Sequence, residues 1–227
     1  MCNNSGIDFV SRVLEESDVK GRRVLEIGAL NVNGSVRPVI CRLGPSEYIG
    51  ADIMEGEGVD KICRAEDLPK FFAGGTFGLV VATEVLEHVR DWRRVITNMK
   101  GLLENDGILI ITTRSYGFGY HGYPYDFWRY EEQDMRVIFG DMHITRLESD
   151  PLAPGIFLKA IKKMSFIEKD LAGYRLYSII KDRRVETVTD LDCLFFRFKG
   201  LKALPGRLTS LMLPEAIKRW LKRLLRL

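Results

Sequence analysis

Short apolar segments alternate with helical patterns through the first half of the chain, and this alternation constrains the fold more than any other feature. Each apolar segment is too short for a core helix and ends at a turn signal, as β-strands do. The strands predicted in this way cover residues 23–27, 47–53, 58–63, 77–82 and 108–112, and the apolar spacing over residues 91–103 predicts an amphipathic helix. Strands separated by helices form βαβ units, so we expect a parallel sheet covered by helices on both faces.

The pattern changes after a predicted helix at residues 131–139. Residues 142–148 and 156–161 both look like strands, and only the loop at residues 149–155 joins them. A connection so short cannot contain a crossover helix, so the two strands should be antiparallel. The predicted fold class is therefore α/β, with a Rossmann-like, mostly parallel sheet that ends in a reversed strand.

The composition is that of a globular protein in a reducing compartment. Hydrophobic residues make up 46% of the 227 residues and charged residues 29%, which is enough apolar material for a core. The four cysteines are widely spaced and form no C-x-x-C pair, which argues against a disulfide framework or a cysteine zinc site. No segment approaches the ~20 apolar residues of a spanning helix, and the N-terminus has no signal-peptide pattern. We expect a cytoplasmic protein.

A strand that runs into a glycine is the first candidate ligand site. Residues 24–34 read VLEIGALNVNG, which predicts a strand ending at Gly28, a tight turn and a helix start. Backbone N–H groups at such a turn can bind a carboxylate or phosphate, and Glu26 can pair with a ligand cation. Asp52 ends the next strand, at the spacing expected for a carboxylate that binds ribose hydroxyls. An ordinary strand–turn–helix connection followed by an Asp cap explains the same residues.

Two further segments follow strands at the same edge of the predicted sheet, where open α/β folds bind their ligands. Residues 83–89 read TEVLEHV and come directly after the fourth strand. Residues 120–130 follow the fifth strand and are unusually rich in aromatic side chains. Aromatic faces favour a cation or a stacked acceptor ring, so we interpret this second segment as part of a binding site. An aromatic plug that packs the loop onto the core is the alternative.

Four side chains of these segments are candidates for catalysis. His88 and His121 are candidate general bases, because an imidazole titrates near neutral pH. Tyr125 or Asp126 can orient an acceptor hydroxyl. The alternative for His88 is an ordinary position at the start of a helix.

Together these segments resemble the class I S-adenosylmethionine-dependent methyltransferases with a type 11-like domain. The matching motifs are VLEIG at residues 24–28, YIGAD at 48–52, AEDLP at 65–69 and TFGLVVATEVLEHV at 76–89. The resemblance covers about residues 20–163, and the motifs occur in the family's order and spacing. It implies a seven-stranded sheet with its last strand reversed, and S-adenosylmethionine as the cofactor.

The resemblance also implies roles for individual residues. Gly28 and Ala29 would lie against the methionine part of the cofactor, with Glu26 near its amino group. Asp52 would bind the ribose hydroxyls. The residues that would flank the adenine are Ala65 and Glu66, and the residue beside the sulfonium would be Thr83. Arg64 departs from the family pattern, because many members have an adenine-binding Asp at that position.

The expected reaction is an in-line methyl transfer to a small-molecule, sugar or lipid-linked acceptor, in which alignment of the acceptor supplies much of the acceleration. A nucleotide-binding oxidoreductase would require a better G-x-G-x-x-G loop and a Tyr-x-x-x-Lys pair, and the sequence has neither. A degenerate nucleotide-binding protein without catalysis remains an alternative, since the glycine loop is altered.

A metal-assisted RNA ribose 2′-O-methyltransferase is the other alternative. Glu84, Glu87, His88 and His121 resemble the metal ligands of small-RNA 3′-terminal methyltransferases. However, Leu-Glu-His after this strand is common in metal-free members of the superfamily, so we expect no metal. Nucleic acid is not an expected partner, because the chain without residues 213–227 has a net charge of 3 − 4 = −1.

The domain prediction is a methyltransferase domain over residues 1–163 and a C-terminal extension over residues 164–227. Within the extension, residues 171–180 have a helical pattern. Residues 213–227 hold five basic residues and one acidic residue, giving 5 − 1 = +4, and the apolar residues lie on the opposite face of a helix. Such a basic amphipathic helix is able to lie on an anionic membrane surface, which would give the protein a peripheral membrane contact. Docking on its own domain or on a second subunit is the alternative.

Overall fold

The computed structural model describes residues 4–122 and 125–202, and β-strands form its centre. The strands are β1 (Arg23–Ile27), β2 (Glu47–Asp52), β3 (Lys61–Ile62), β4 (Phe77–Thr83), β5 (Leu103–Arg114), β6 (Trp128–Arg129), β7 (His143–Ser149), β8 (Gly155–Ile161), β9 (Leu176–Ser178) and β10 (Arg183–Val185). Seven of them form one sheet in the order β3-β2-β1-β4-β5-β8-β7. The pairs among β1 to β5 are parallel, whereas β8 is antiparallel to both β5 and β7. The predicted fold class, a mostly parallel seven-stranded sheet with its last strand reversed, is confirmed.

The helices of the described residues are short. They are α1 (Asn4–Val13), α2 (Glu16–Val19), α3 (Arg37–Cys41), α4 (Trp92–Leu102), α5 (Glu132–Ile138) and α6 (Asp190–Lys202), with 3-10 turns at Ala65–Lys70 and Leu86–His88. The helix predicted over residues 91–103 corresponds to α4, which begins after Asp91, whose side chain accepts a hydrogen bond from the backbone N–H of Arg94.

β4 is buried along its whole length and divides the core into two layers. Because side chains alternate across a strand, Leu79 and Val81 point to one face and Val80 and Ala82 to the other. Leu79 and Val81 belong to the same buried cluster as residues of α1 and α3. α4 contacts β4 and β5. This double cover explains the continuously apolar sequence of β4.

A second, three-stranded sheet in the order β10-β9-β6 was not predicted. The helix expected over residues 171–180 is wrong, because Leu176–Ser178 form β9, which pairs with both β6 and β10. Arg93 of α4 donates hydrogen bonds to the carbonyl groups of Leu171, Tyr174 and Glu186. The first compact unit extends to Thr187, and the domain boundary at residue 163 stays a prediction.

The edges of the large sheet are short or irregular. β3, at one edge, has two residues. β7, at the other edge, changes register between Ile144 and Arg146. The pairing with each inner neighbour is therefore limited or interrupted at both edges.

The second compact unit, Val188–Leu227, contains α6 among its described residues. The N–H and hydroxyl groups of Thr189 both donate to the Asp192 carboxylate, which closes the first turn. The basic segment predicted at residues 213–227 lies outside the described residues. Within the described ranges, no helix combines the length and the apolar character needed to cross a membrane.

Candidate functional site

The turn after β1 begins at Gly28, at the carboxyl edge of the sheet. Gly28 has a φ of +79°, a conformation that residues with a Cβ atom rarely adopt. Its N–H donates to the carbonyl of Ala51 at 2.8 Å. A Cβ atom at this position would lie 2.3 Å from Cγ2 of Val85, in the segment after β4. Gly28 thus permits both the turn and the close approach of two loops at this edge.

Glu26 lies just before this turn and is only 2% exposed. The hydroxyl of Tyr48 on β2 donates a 2.7 Å hydrogen bond to Glu26 Oε2. Burial raises the pKa of Glu26 from 4.5 to about 7, against the lowering effects of the Tyr48 hydrogen bond and the Arg37 charge. The carboxyl group can therefore change its charge near neutral pH in response to a nearby cation.

Asp52, at the end of β2, connects this turn to the next loop. Its two carboxylate oxygens accept hydrogen bonds from the N–H groups of Leu30 and Met54, both at 3.1 Å. The backbone N–H of Ala29 donates to Ala51 O at 3.2 Å. The structure therefore brings Gly28, Ala29 and Asp52 together, and Asp52 has the structural role that sequence analysis gave as its alternative.

The remaining residues of the expected cofactor site lie at the ends of neighbouring elements. Ala65 and Glu66 begin the turn after β3, and their carbonyl groups accept hydrogen bonds from the side-chain amide of Asn98 at 2.9 and 3.0 Å. Thr83 is fully buried at the end of β4, where it pairs with Thr112 of β5. Asn98 was missed by sequence analysis, because a single polar residue on the buried face of α4 has no motif around it.

Glu84 occupies a constrained position directly after β4. Its φ is +56°, and its side chain is 3% exposed. The carboxylate accepts a 3.0 Å hydrogen bond from the Thr112 hydroxyl and forms an ion pair with Arg114. Burial and the neighbouring Glu87 carboxylate raise the pKa of Glu84, whereas Arg114 opposes this shift. The Glu84 carboxylate is thus bound by two side chains of β5.

Glu87, His88 and His121 form a compact cluster beside this position. One ligand-type atom from each of the three side chains lies within 4.8 Å of the others. Glu87 is fully buried, and its Oε2 accepts a 2.9 Å hydrogen bond from the Thr113 hydroxyl. The two imidazole rings are in edge contact, with centroids 4.9 Å apart. The structure therefore brings together the two histidines that sequence analysis selected.

The Asp126 carboxylate contacts both the ring and the backbone of His121. Asp126 Oδ2 lies 2.9 Å from Nδ1 of His121 and also accepts from the His121 backbone N–H at 3.1 Å. Arg129 donates to both oxygens of Asp126, at 2.5 and 2.6 Å. Burial favours a protonated carboxyl, but the Arg129 and His121 contacts outweigh it and lower the pKa of Asp126 to about 2. Arg129 was missed, although its position three residues after Asp126 could have indicated the pair.

Part of the aromatic segment packs onto the core, as in the alternative that sequence analysis gave, and its role in binding stays a prediction. Phe127, Trp128 and Tyr130 are buried, and the Trp128 indole donates to the Val89 carbonyl at 2.9 Å, so these rings fill the core. Tyr120 remains 42% exposed. The carbonyl of Tyr125 lies 2.8 Å from Nδ1 of His88, so the Tyr125 backbone positions the second imidazole.

A cleft of about 430 Å³ lies elsewhere on the first unit. Its lining residues are Glu131, Gln133, Asp134, Tyr174 and Arg184, none of which sequence analysis selected. Asp134 is bound there by the hydroxyl of Tyr174 at 2.6 Å and by Arg184. The ion pair between Asp134 and Arg184 in this cleft connects α5 to β10.

A family model described as a methyltransferase domain matches residues 4–147 of the chain. Among curated proteins, no sequence gives a significant match. Many solved structures have a similar fold. A 1,6-didemethyltoxoflavin-N1-methyltransferase from Burkholderia thailandensis, with bound S-adenosylhomocysteine, is 13% identical, with a TM-score of 0.56 over 70% of this chain and 78% of that one.

Two other similar structures have the same general description. An S-adenosylmethionine-dependent methyltransferase from Mesorhizobium loti is 15% identical, with a TM-score of 0.51 over 70% of this chain and 98% of that one. The magnesium protoporphyrin IX methyltransferase of Synechocystis is 19% identical, with a TM-score of 0.52 over 69% of this chain and 82% of that one.

Proposed function

The chain belongs to the methyltransferase domain family, and we propose that it methylates a small-molecule, sugar or lipid-linked acceptor bound beside His88 and His121. It is an enzyme that uses S-adenosylmethionine as its cofactor. The observation that supports this acceptor position is the cluster of the buried Glu87 with the partly exposed His88 and His121 at the carboxyl edge of the sheet. Open α/β folds bind their ligands at this edge.

The proposed cofactor site uses the residues that the resemblance to the family selected. Gly28 and Ala29 would lie against the methionine part, and Asp52 would bind the ribose. Glu26 supports this assignment because it is a buried carboxyl beside the turn, and a cofactor ammonium group would stabilise its ionised form. The residues assigned to the adenine and to the sulfonium are Ala65, Glu66 and Thr83.

In the proposed reaction, an acceptor oxygen or nitrogen attacks the methyl carbon in line with the carbon–sulfur bond. That bond breaks, its electrons stay on sulfur, and S-adenosylhomocysteine leaves. If the acceptor is a hydroxyl group, its proton passes to an imidazole. His121 suits this task because Asp126 faces its Nδ1, which leaves Nε2 to accept the proton. Asp126 acts as a positioning residue through His121, and Tyr125 positions His88 through its carbonyl.

Measured methylation rates of His88→Ala and His121→Ala test the general-base assignment. We expect at least one of them to lose about 100-fold or more in kcat, the usual contribution of a positioned base. His143→Ala is the control, since this third histidine is exposed on β7. Rates near wild type in both test variants would contradict the assignment.

Calorimetry with S-adenosylmethionine and, separately, with NAD tests the class of protein. We expect a defined binding isotherm for S-adenosylmethionine and none for NAD. Binding of NAD alone would contradict the proposed function. Binding of neither would favour the degenerate, non-catalytic alternative.

We further propose that residues 213–227 bind an anionic membrane surface, because the sequence combines a net charge of +4 with an apolar helical face. Flotation with anionic and neutral liposomes tests this proposal. The full chain should float with the anionic liposomes, and a chain ending at residue 210 should not. Identical behaviour of the two chains would contradict membrane contact.

A further inference from the structure

We propose that Glu87, His88 and His121 bind one divalent transition-metal ion. Sequence analysis favoured no metal, because the motif after β4 also occurs in metal-free relatives. The structure adds three observations that a sequence pattern does not contain: a buried oxygen without a hydrogen-bond partner, two imidazoles whose Nδ1 atoms face oxygen acceptors, and the close approach of one atom from each of the three side chains.

The first observation concerns Glu87. Its side chain is completely buried, and Oε2 is bound by the Thr113 hydroxyl. Oε1 is buried without a hydrogen-bond partner, although a buried carboxylate oxygen normally has one. This oxygen lies 3.8 Å from Nε2 of His121, which is too far for a hydrogen bond. Two ligands of a tetrahedral ion, each about 2.1 Å from the metal, are about 3.4 Å apart, so a small inward movement completes the geometry.

The second observation is the orientation of the two imidazoles. The Tyr125 carbonyl, 2.8 Å from Nδ1 of His88, can only accept a hydrogen bond, so this nitrogen has the proton. The Asp126 carboxylate lies 2.9 Å from Nδ1 of His121, and its negative charge favours a proton on that nitrogen of the second ring. In both neutral rings the free lone pair is then on Nε2. A histidine that donates its other ring N–H to a carboxylate or a carbonyl is typical of metal ligands.

The third observation is that one atom of each side chain lies within 4.8 Å of the others, so a single ion can contact all three. Glu84 is not part of this set, since Arg114 and Thr112 bind its carboxylate. Three protein ligands leave at least one coordination position open, as in catalytic metal sites.

The ligand types indicate which ions fit. Two imidazoles and one carboxylate suit Zn²⁺, Co²⁺, Mn²⁺ or Fe²⁺, whereas Mg²⁺ and Ca²⁺ prefer oxygen ligands alone. We therefore expect a transition-metal ion and weak binding of Mg²⁺. Imidazole must be neutral to bind a metal, so binding should weaken as the pH falls.

A bound ion would change the deprotonation step described above, and this part of the inference rests on the proposed function. The ion would use the imidazole lone pairs, so His121 would no longer accept the proton. An acceptor hydroxyl at the open position would instead lose its proton to solvent more readily, because the positive charge stabilises the alkoxide. The metal-binding claim itself does not depend on the acceptor.

Titration of the chelator-treated full chain with Co²⁺, followed by visible absorption and calorimetry, tests the inference. We expect one equivalent to bind, and Mg²⁺ to bind much more weakly. Glu87→Gln keeps the size of the side chain and should weaken Co²⁺ binding by about 100-fold or more, beyond the loss typical of an outer-shell change. The matched control His143→Ala alters the exposed histidine of β7 and should bind Co²⁺ like wild type. Circular dichroism checks that each variant is folded.

A second variant keeps the test decisive if Glu87→Gln fails to fold. Asp126→Asn removes the negative charge that faces both Nδ1 of His121 and the Arg129 guanidinium, and it should weaken Co²⁺ binding by about 10- to 100-fold. Absence of Co²⁺ and Zn²⁺ binding in the folded wild-type chain would overturn the inference, and so would unchanged binding in folded Glu87→Gln. S-adenosylmethionine binding is measured in the same samples. Cofactor binding without metal binding overturns the metal site alone, whereas metal binding without cofactor binding contradicts the proposed function alone.

Discussion

At the scale of single residues, Glu26 makes the stability of the protein depend on pH. Its pKa is about 7 in the folded protein, against 4.5 for an ordinary carboxyl group. Between these two values the unfolded chain loses the proton and the folded chain keeps it, so the unfolded state binds fewer protons and stability falls as the pH rises. Below 4.5 and above 7 this effect of Glu26 is constant.

We expect Glu26→Gln to remove this pH dependence. The free energy of unfolding of wild type should fall by up to about 3 kcal/mol relative to Glu26→Gln between pH 4.5 and 7. Urea unfolding at pH 5, 6, 7 and 8 measures the difference. Glu47→Gln is the control, since its side chain is 49% exposed and its profile should parallel wild type. Parallel profiles for wild type and Glu26→Gln would show that Glu26 does not titrate in this range.

Because the pKa of Glu26 is raised, we also expect that binding of the cofactor releases a proton. A cofactor ammonium group beside Glu26 would lower its pKa, so S-adenosylmethionine should displace a proton near pH 6. Calorimetric titration in two buffers with different ionisation enthalpies measures the number of protons released. Glu26→Gln should release fewer protons and bind the cofactor more weakly. Equal proton release by wild type and Glu26→Gln would exclude Glu26 as the source.

Substitution of Gly28 is expected to destabilise the protein in two ways, by backbone strain and by crowding. Gly28→Ala combines a positive φ, which costs about 1–2 kcal/mol, with a clash against Val85 that adds about 1–3 kcal/mol. Gly75→Ala is the matched control, because Gly75 has a φ of +66° and open space around it. Thermal unfolding should show a larger loss for Gly28→Ala, and Val85→Ala in that background should recover part of it. Equal losses at the two glycines would contradict the crowding.

The candidate site shows how far single residues could be predicted. His88, His121 and Asp126 were selected because their residue types and positions after strands point to a ligand edge. Arg129 and the unpartnered Oε1 of Glu87 were not, because they depend on which atoms meet after folding. A local motif identifies the edge where a ligand binds, but atom-to-atom contacts across the sheet come from tertiary structure.

At the scale of elements, Asp134 connects α5 to the small sheet. Its carboxylate accepts from the Glu131 N–H in the helix cap, from the Tyr174 hydroxyl and from Arg184. Asp134→Ala removes the cap and leaves the partly buried Tyr174 hydroxyl without its acceptor, so we expect a loss of about 2–4 kcal/mol in the free energy of unfolding. Glu132→Ala, on the exposed face of the same helix, should change it by less than about 0.5 kcal/mol. A small effect of Asp134→Ala would show that α5 is held mainly by apolar contacts.

Elements with a strong periodic pattern were predicted well, and those held by pairing partners were not. α4 and the strands β4, β7 and β8 were predicted within a few residues, because burial on one or both faces fixes their sequence pattern. β9 lies in the segment 171–180, which sequence analysis interpreted as helical. Its strand conformation comes from pairing with β6 and β10, which are distant in sequence.

At the scale of the whole molecule, the boundary of the first compact unit can be tested by shortening the chain. Residues 1–187 should unfold in one transition and bind S-adenosylmethionine like the full chain. Residues 1–163 lack β9 and β10 and remove three carbonyl acceptors from Arg93. Because a hydrogen bond to a charged group contributes about 1.5–3 kcal/mol, this chain should be less stable by at least about 3 kcal/mol. Equal urea midpoints for the two shortened chains would support the boundary at residue 163.

The edges of the large sheet have a consequence for the behaviour of the protein in concentrated solution. An exposed, regular edge strand is a template on which a second molecule can add its own strand, and this is a common route to aggregation. β3 offers only two residues to such a strand, and the register change in β7 interrupts the repeat that it would need. Strand-to-strand polymerisation is therefore disfavoured at both ends of the sheet, and the protein should tolerate the high concentrations that crystallisation and NMR spectroscopy require.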